Sequence, residues 1–140
     1  MPARDKYHFE FCEALQKEGW TITHDYKNNY QMDKIKKYQK VITDILEEYA
    51  EYFKEPQLET QVICDYKRNH FQLMKIGWDA GKRYHYCIFH FDIKEGKIWL
   101  QQNNTDIHIS QDFELKGIPK TDIVLGILSP ENRVALSTPM

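Results

Sequence analysis

The sequence predicts an α+β fold: an antiparallel sheet of about four to five strands, with a long helix packed on one face and a short C-terminal helix. Three observations lead to this prediction. Residues 33–54 carry apolar side chains at helical spacing. From residue 58 to residue 102 the spacing changes to every second position, interrupted by short turns, as antiparallel strands require. Helical signals return after Ser110.

The first 31 residues form a separate segment. Residues 5–18 have the amphipathic pattern of a helix, and residues 20–23 alternate like a short strand. Residues 24–31 are polar and contain two adjacent asparagines, which predicts a turn or linker. We therefore divide the chain into a stub with its linker, residues 1–31, and a domain, residues 32–140.

The long helix is the clearest element. Asp33 can cap its start, and Pro56 lies just beyond its end. Its apolar stripe consists of Ile35, Tyr38, Val41, Ile42, Ile45, Leu46, Tyr49, Tyr52 and Phe53. Each of these side chains contributes roughly 1.5–3 kcal/mol when fully buried, so burial against the sheet should decide the stability of this helix.

Four strands are predicted at residues 58–66, 71–78, 82–93 and 97–102. Strict alternation along the third strand sorts its side chains into two faces. One face holds Cys87, Phe89, Phe91 and Ile93, and the other holds Tyr84, Tyr86, Ile88, His90 and Asp92. On this pattern Cys87 is a buried, unreactive thiol, and the two tyrosines point the same way as His90 and Asp92.

The last third of the chain is predicted to contain a short helix from Ser110 to Lys116, which Ser110 caps and Gly117 ends. A connector follows at residues 118–122. Residues 123–128 then have the composition of a short buried strand, and the tail after residue 130 is polar and turn-like.

Composition narrows the possible functions. The chain has 140 residues with 19 basic and 21 acidic side chains, a formal charge of -2. Dedicated nucleic-acid binders usually carry a basic excess. The three cysteines form no CxxC pair, which gives no support for a zinc ribbon or a disulfide framework. No apolar run approaches the roughly 18 residues of a membrane span, and we expect a cytoplasmic protein.

Catalytic motifs are missing from the sequence. It contains no phosphate-binding glycine loop, no nucleophile elbow and no HExxH zinc motif. His90 and Asp92 could contribute to a metal or hydrolytic site, but His85 falls on the opposite strand face, and the segment after Asp92 is typical of a strand that enters a hairpin. We therefore predict no catalytic, cofactor-binding or metal-binding residues.

A surface for interaction is the alternative use of the aromatic side chains. The candidate interaction surface comprises Tyr66, Trp78, Tyr84, Tyr86, His90, Asp92 and Trp99. Aromatic rings beside basic residues can also stack nucleic-acid bases. However, the basic residues cluster at turns, where solvated charge is expected, so we favour protein contact over nucleic acid.

Residues 32–140 resemble the XisI family, the fdxN element excision controlling factors. The resemblance begins at Met32-Asp33-Lys34 and includes FQLMKIGW at 71–78, CIFHFDIKEGKIWLQQ at 87–102 and GIPKTDIVLG at 117–126. It implies a role in controlling the site-specific excision of a DNA element in cyanobacteria, during heterocyst differentiation. The family has no catalytic motif to carry over to this chain.

Residues 1–26 resemble a different family. MPARDKYH at 1–8 and GWTITHD at 19–25 are similar to the opening of XisH proteins, which have a nuclease-type fold. The metal-binding acidic residues of that family lie beyond this opening, so the resemblance implies a truncated XisH-like segment. Together the two resemblances imply a non-catalytic control factor that contacts an XisH-type protein. A homodimer is also expected, and direct DNA binding or a cryptic metal-dependent hydrolase are the alternatives.

Overall fold

A computed structural model of the chain describes the backbone of residues 22–137 and the side chains of residues 30–133. The chain divides into two compact units, residues 1–35 and residues 36–140. In the first unit the described residues, 22–35, are helical. No helix in the described part of the chain is long and apolar enough to cross a membrane.

Helix α1 spans Ile22–Tyr52, so it begins eleven residues before the predicted start at Asp33. The predicted strand at residues 20–23 is wrong for Ile22 and Thr23, and the predicted turn or linker at residues 24–31 is wrong throughout. An asparagine costs at most about 0.7 kcal/mol in a helix interior. Extending an existing helix needs no new nucleation, so two asparagines do not end it. The predicted helix at 5–18 lies outside the described residues.

A five-stranded sheet follows the helix, in the order β1-β2-β3-β4-β5. The first four strands are antiparallel neighbours, and β5 pairs parallel to β4. The strands are β1 (Leu58–Asp65), β2 (His70–Asp79), β3 (Lys82–Lys94), β4 (Lys97–Asn103) and β5 (Ile123–Val124). The α+β fold class and the positions of all four predicted strands of the meander are confirmed.

Two of the hairpins have two-residue loops that match the twist of the strands. Ala80 and Gly81 join β2 to β3, and Glu95 and Gly96 join β3 to β4. All four residues have positive φ, between 52° and 78°. This is the backbone of a type I′ turn, which brings the flanking strands into register.

The core lies between one face of the sheet and the two helices α1 and α2 (Ile109–Leu115). Most of the predicted stripe packs there on phenylalanine and leucine side chains of β2, β3 and β4, namely Tyr38, Val41, Ile42, Ile45, Leu46, Tyr49 and Phe53. The side chains with no more than 2% exposure include Ile42, Ile45, Leu46, Phe71, Leu73, Phe89, Phe91, Ile98, Leu100, Ile109 and Phe113. Burial of most of the stripe, predicted from its spacing, is therefore confirmed. Its member Tyr52, the last residue of α1, is 72% exposed, so the prediction is wrong for this side chain.

A β-bulge in β3 changes the predicted faces of that strand. Leu73 pairs with Phe89, whereas its neighbour Met74 pairs with Cys87, so Ile88 is an extra residue on β3. Ile88 and Phe89 are both buried in the core, as consecutive residues of a bulge can be. The alternation therefore changes phase at this point, and Cys87 lies on the face away from the phenylalanines. The prediction that Cys87 shares their face is wrong.

The C-terminal third differs from the prediction at three points. The buried strand predicted at residues 123–128 is limited to the two half-buried residues of β5. His108, not Ser110, occupies the N-cap position of α2, and no side chain caps that end. The tail predicted to be turn-like is helix α3 (Pro130–Ser137). Proline suits the first position of a helix because its missing N–H would be unpaired there in any case. The Ser129 hydroxyl accepts a hydrogen bond of 3.4 Å from the backbone N–H of Asn132 and so caps α3.

A hydrogen bond from the Tyr49 hydroxyl to the Asp112 carboxylate joins α1 to α2. Burial, this hydrogen bond and the negative charge of Asp112 raise the pKa of Tyr49 from 10.0 to about 12. In the unfolded chain a tyrosine has a pKa of about 10. The contribution of this hydrogen bond to stability is therefore complete below pH 10, and it is lost as the pH rises towards 12.

We expect Tyr49→Phe to lower the free energy of unfolding by about 1.5 kcal/mol at pH 8, because the hydrogen bond to a charged acceptor is lost. The difference from the unsubstituted chain should shrink between pH 10 and pH 12, where the unfolded tyrosine gives up its proton first. Urea unfolding at pH 8 and pH 11 measures both values. A difference that stayed constant with pH would contradict this account of Tyr49.

Candidate functional site

The face of the sheet opposite α1 and α2 carries the chemically distinctive side chains, and we call it the open face. Cross-strand neighbours in an antiparallel sheet lie on the same face, so the register identifies its members. They include Ile63, His70, Gln72, Met74, Ile76, Trp78, His85, Cys87, His90, Asp92 and Trp99. Trp78 is 61% exposed and Ile63 is 46% exposed, so both present apolar surface to solvent on this face.

Three side chains of the open face converge into a His–Asp cluster, formed by His70, His90 and Asp92. His70 is the first residue of β2 and pairs across the strands with Asp92, while His90 lies two positions before Asp92 on β3. Nδ1 of His70 lies 2.8 Å from Oδ1 of Asp92, and Nε2 of His90 lies 2.9 Å from the same oxygen. The three potential ligand atoms all lie within 4.8 Å of one another.

Two glutamine side chains support the cluster. Nε2 of Gln101 donates a hydrogen bond of 3.1 Å to Oδ2 of Asp92. The amide of Gln72 lies 3.5 Å from Nδ1 of His90, the ring nitrogen that faces away from Asp92. Both carboxylate oxygens of Asp92 and both ring nitrogens of His90 therefore have a polar neighbour.

Exposure falls towards the centre of the cluster. The side chain of His70 is 53% exposed, that of His90 is 28% exposed, and that of Asp92 is 9% exposed. Burial acts to raise the pKa of Asp92, but the hydrogen bonds from His70, His90 and Gln101 outweigh it and hold the pKa below its usual value. A nearly buried carboxylate is thus kept ionised, with its charge directed at the two histidines.

The candidate interaction surface predicted from the sequence is divided between the two faces of the sheet. Trp78, His90, Asp92 and Trp99 lie on the open face. Tyr66 and Tyr86 pack against the core on the helix side. Tyr86 pairs with Lys75, and Tyr84 pairs with Gly77 two residues further along both strands, so Tyr84 lies on the same side as Tyr86. The expectation that Tyr84 and Tyr86 point the same way as His90 and Asp92 is wrong, because the bulge at Ile88 lies between the two pairs. For the same reason the expectation that His85 lies on the face opposite His90 is wrong, and the two histidines share the open face.

The remaining four residues do not form one patch either. Trp78 pairs with Arg83 next to the β2–β3 hairpin, whereas His90 pairs with Gln72, six residues along β2. At about 3.3 Å per residue, these positions lie about 20 Å apart. Trp99 adjoins Asp92, but its ring is covered by the cations of Lys94 at 4.5 Å and Arg133 at 5.1 Å. The open face therefore has a hydrophobic end at Trp78 and a polar end at the His–Asp cluster.

Sequence reasoning missed His70 and the two glutamines. His70 follows the turn at residues 67–69, and its position opposite Asp92 depends on the register between β2 and β3. One signal was available: counting outward from the tight turn at Ala80–Gly81 places β2 residues opposite β3 residues. The count fails by one residue at the bulge, however, and only the structure reveals that shift.

Comparison with protein families identifies two of them along the chain. Residues 32–137 match the model of a protein family described as XisI protein, and residues 1–49 match that of a family described as XisH protein. The XisH match reaches further than the 26 residues predicted from the sequence, so residues 32–49 match both families. No curated protein matches the chain.

Solved structures similar to this chain include two from one organism. One is a XisI-like protein from Anabaena variabilis, with 42% sequence identity and a TM-score of 0.68, covering 72% of this chain and 94% of that one. The other is the fdxN element excision controlling factor XisI from the same organism. It has 31% identity and a TM-score of 0.63, and the match covers 71% of this chain and 98% of that one.

Proposed function

The chain belongs to the XisI family, and from that premise we propose that it is a non-catalytic accessory factor in the excision of a DNA element, acting by contact with an XisH-type protein. A solved relative with 31% identity is named as an excision controlling factor, which supports a regulatory role. A cytoplasmic location fits this role.

The observation that carries the proposal is the presence of two families in one chain. Residues 1–49 match XisH and residues 32–137 match XisI. Joining two modules in one polypeptide raises their effective concentration to about the millimolar range. Such a fusion is tolerated best when the two modules already work together, which favours an XisH-type protein as the partner.

The hydrophobic end of the open face is the surface that we propose for this contact. Trp78 projects from β2 beside the β2–β3 hairpin, and the guanidinium of Arg83 lies 5.8 Å from the centre of its ring. Ile76 lies two residues before Trp78 on the same face and adds half-buried apolar surface. Tryptophan and arginine are the residue types that most often dominate binding energy at protein interfaces.

We expect Trp78→Ala to weaken binding of an XisH-type protein by about 30-fold or more, which corresponds to about 2 kcal/mol. Because Trp78 is exposed, the free energy of unfolding should change by no more than about 0.5 kcal/mol. The measurement is co-purification with a full-length XisH-type protein, followed by titration calorimetry. Leu115→Ala is a matched control, because Leu115 is 86% exposed but lies on α2, on the other side of the sheet.

Equal binding by Trp78→Ala and Leu115→Ala would show that the contact lies elsewhere. Comparing chains that begin at Met1 and at Met32 tests whether the XisH-like segment changes binding of the partner.

Retention on duplex DNA, with an affinity that falls linearly as log K against log salt, would support direct DNA binding instead. Turnover of nucleic acid, abolished by a point change in this chain, would overturn the non-catalytic role.

Self-association is part of the same proposal, because a second copy of the chain can cover the same exposed face. In that case the homodimer and the complex with the partner compete for Trp78. Analytical ultracentrifugation of the unsubstituted chain and of Trp78→Ala should then show a dimer and a monomer, respectively. A monomer in both samples would remove the homodimer from the proposal.

A further inference from the structure

We propose that His70, His90 and Asp92 form a binding site for a divalent transition-metal ion. This inference does not depend on the proposed contact with an XisH-type protein. It rests on the convergence of two imidazole nitrogens and one carboxylate oxygen at one point of the open face, with separations of 2.8 Å and 2.9 Å between each nitrogen and Oδ1 of Asp92.

The separations are close to those that a bound ion requires. An ion such as Zn²⁺ lies about 2.0–2.2 Å from each nitrogen or oxygen ligand, so neighbouring ligand atoms lie about 3.0–3.4 Å apart in octahedral or tetrahedral geometry. The observed spacings are a few tenths of an ångström shorter than this. Rotation of the His70 ring, which is half exposed, opens that spacing without moving the strands.

The groups around the cluster have the arrangement that orients metal ligands. Histidine ligands usually have a polar partner at the second ring nitrogen, and ligating carboxylates usually accept an additional hydrogen bond. Here the amide of Gln72 lies at Nδ1 of His90, and Gln101 donates to Oδ2 of Asp92. Nε2 of His90 and Oδ1 of Asp92 therefore remain available to bind the ion.

The kind of ligand indicates the kind of ion. Ca²⁺ and Mg²⁺ prefer sites made of oxygen ligands, whereas imidazole suits zinc, copper, nickel and iron. Two nitrogens and one oxygen therefore favour a transition-metal ion. Three protein ligands leave at least one coordination position for water or another ligand, and the exposure of His70 places that position towards solvent.

The position of the ligands in the sheet keeps the site rigid. His90 and Asp92 are alternate residues of one strand, and His70 is paired directly with Asp92 across two strands. His90 and Asp92 therefore need only small side-chain movements to accept the ion. A site that is already assembled loses less conformational freedom on binding than one that must be ordered.

The test is titration of the EDTA-treated full chain with Zn²⁺, followed by calorimetry, and with Co²⁺, followed by visible absorption. We expect His70→Ala and Asp92→Asn each to weaken binding of Zn²⁺ by at least tenfold. Gln101→Leu, which removes the hydrogen bond to Asp92, should weaken it by about 10–100-fold. His85→Ala is the matched control, because His85 is an exposed histidine on the same face and the same strand.

His70→Ala is the deciding variant, because the half-exposed side chain of His70 can be removed without disturbing the core, even if Asp92→Asn fails to fold. Binding elsewhere in the chain would be the same with and without this substitution, so the difference between the two titrations is the readout. In ¹⁵N NMR spectra, Zn²⁺ should shift the ring resonances of His70 and His90 and leave those of His85 unchanged. Unaltered Zn²⁺ binding by His70→Ala, or no binding by the unsubstituted chain, would overturn the proposal.

Discussion

Phe91→Ala is expected to lower the free energy of unfolding by about 3–5 kcal/mol, the range for removing a buried phenylalanine ring. Phe91 is fully buried at the centre of the core. Its ring stacks on Phe89 with 5.5 Å between ring centres and meets the edge of Phe113 at 5.1 Å. Removing it leaves a cavity that touches both the sheet and α2. Since domains of this size have a total stability of about 5–15 kcal/mol, the loss should be large.

Urea unfolding followed by circular dichroism measures this loss. Phe91→Leu is the control, because it keeps most of the apolar volume, and substitutions of that kind usually cost less than about 1.5 kcal/mol. Similar values for the two variants would mean that the core around Phe91 collapses to fill the space, and that the aromatic contacts contribute little.

Gly77→Ala is expected to lower the free energy of unfolding by about 3 kcal/mol, from backbone strain and overpacking together. Gly77 has a φ of 151°, a conformation that residues with a side chain rarely adopt. A Cβ atom at this position would lie 2.6 Å from the backbone oxygen of Gln57 and 3.0 Å from Cδ2 of Leu58. The oxygen belongs to the backbone just before β1, so it cannot move without disturbing the pairing of β1 with β2.

Gly81→Ala separates the two causes. Gly81 also has a positive φ, of 78°, but a Cβ atom there would meet nothing within 4 Å. Its replacement should therefore cost only the backbone strain, about 1 kcal/mol. Thermal unfolding of both variants measures the difference. Equal losses would show that the approach of Gln57 to Gly77 is relieved by a small movement of the chain.

The sequence predicted the elements whose local and tertiary preferences agree. The stripe of α1 has the period of a helix, and its side chains from Tyr38 to Tyr49 pack in or against the core. The Ala80–Gly81 and Glu95–Gly96 turns join strands that alternate in polarity, so local turn chemistry and strand pairing both indicate a meander. The predictions failed where only a weak local signal was available, as at the two asparagines within α1 and at the tail that forms α3.

The candidate site was predictable only in part. His90 and Asp92 were recognised as sharing a strand face because they are two residues apart. His70 and Gln101 come from neighbouring strands, and their contact with Asp92 depends on register. Because of the bulge at Ile88, the β3 residues before it lie on the opposite faces from those predicted. Tyr84 and Tyr86 are therefore not part of the predicted surface. A bulge leaves no reliable mark in a single sequence, since any residue can be the extra one.

The spacing of apolar residues and turns was sufficient to predict the fold class and the order of the four antiparallel strands, and the resemblance of whole segments to XisI proteins indicated the family. The tertiary structure decided which side chains meet. The pairing of β2 with β3 brings His70 to Asp92, and the one-residue shift at Ile88 places the tyrosines on the other face. The physical reason is the two-residue period of a strand: a shift of one residue moves every following side chain to the opposite face.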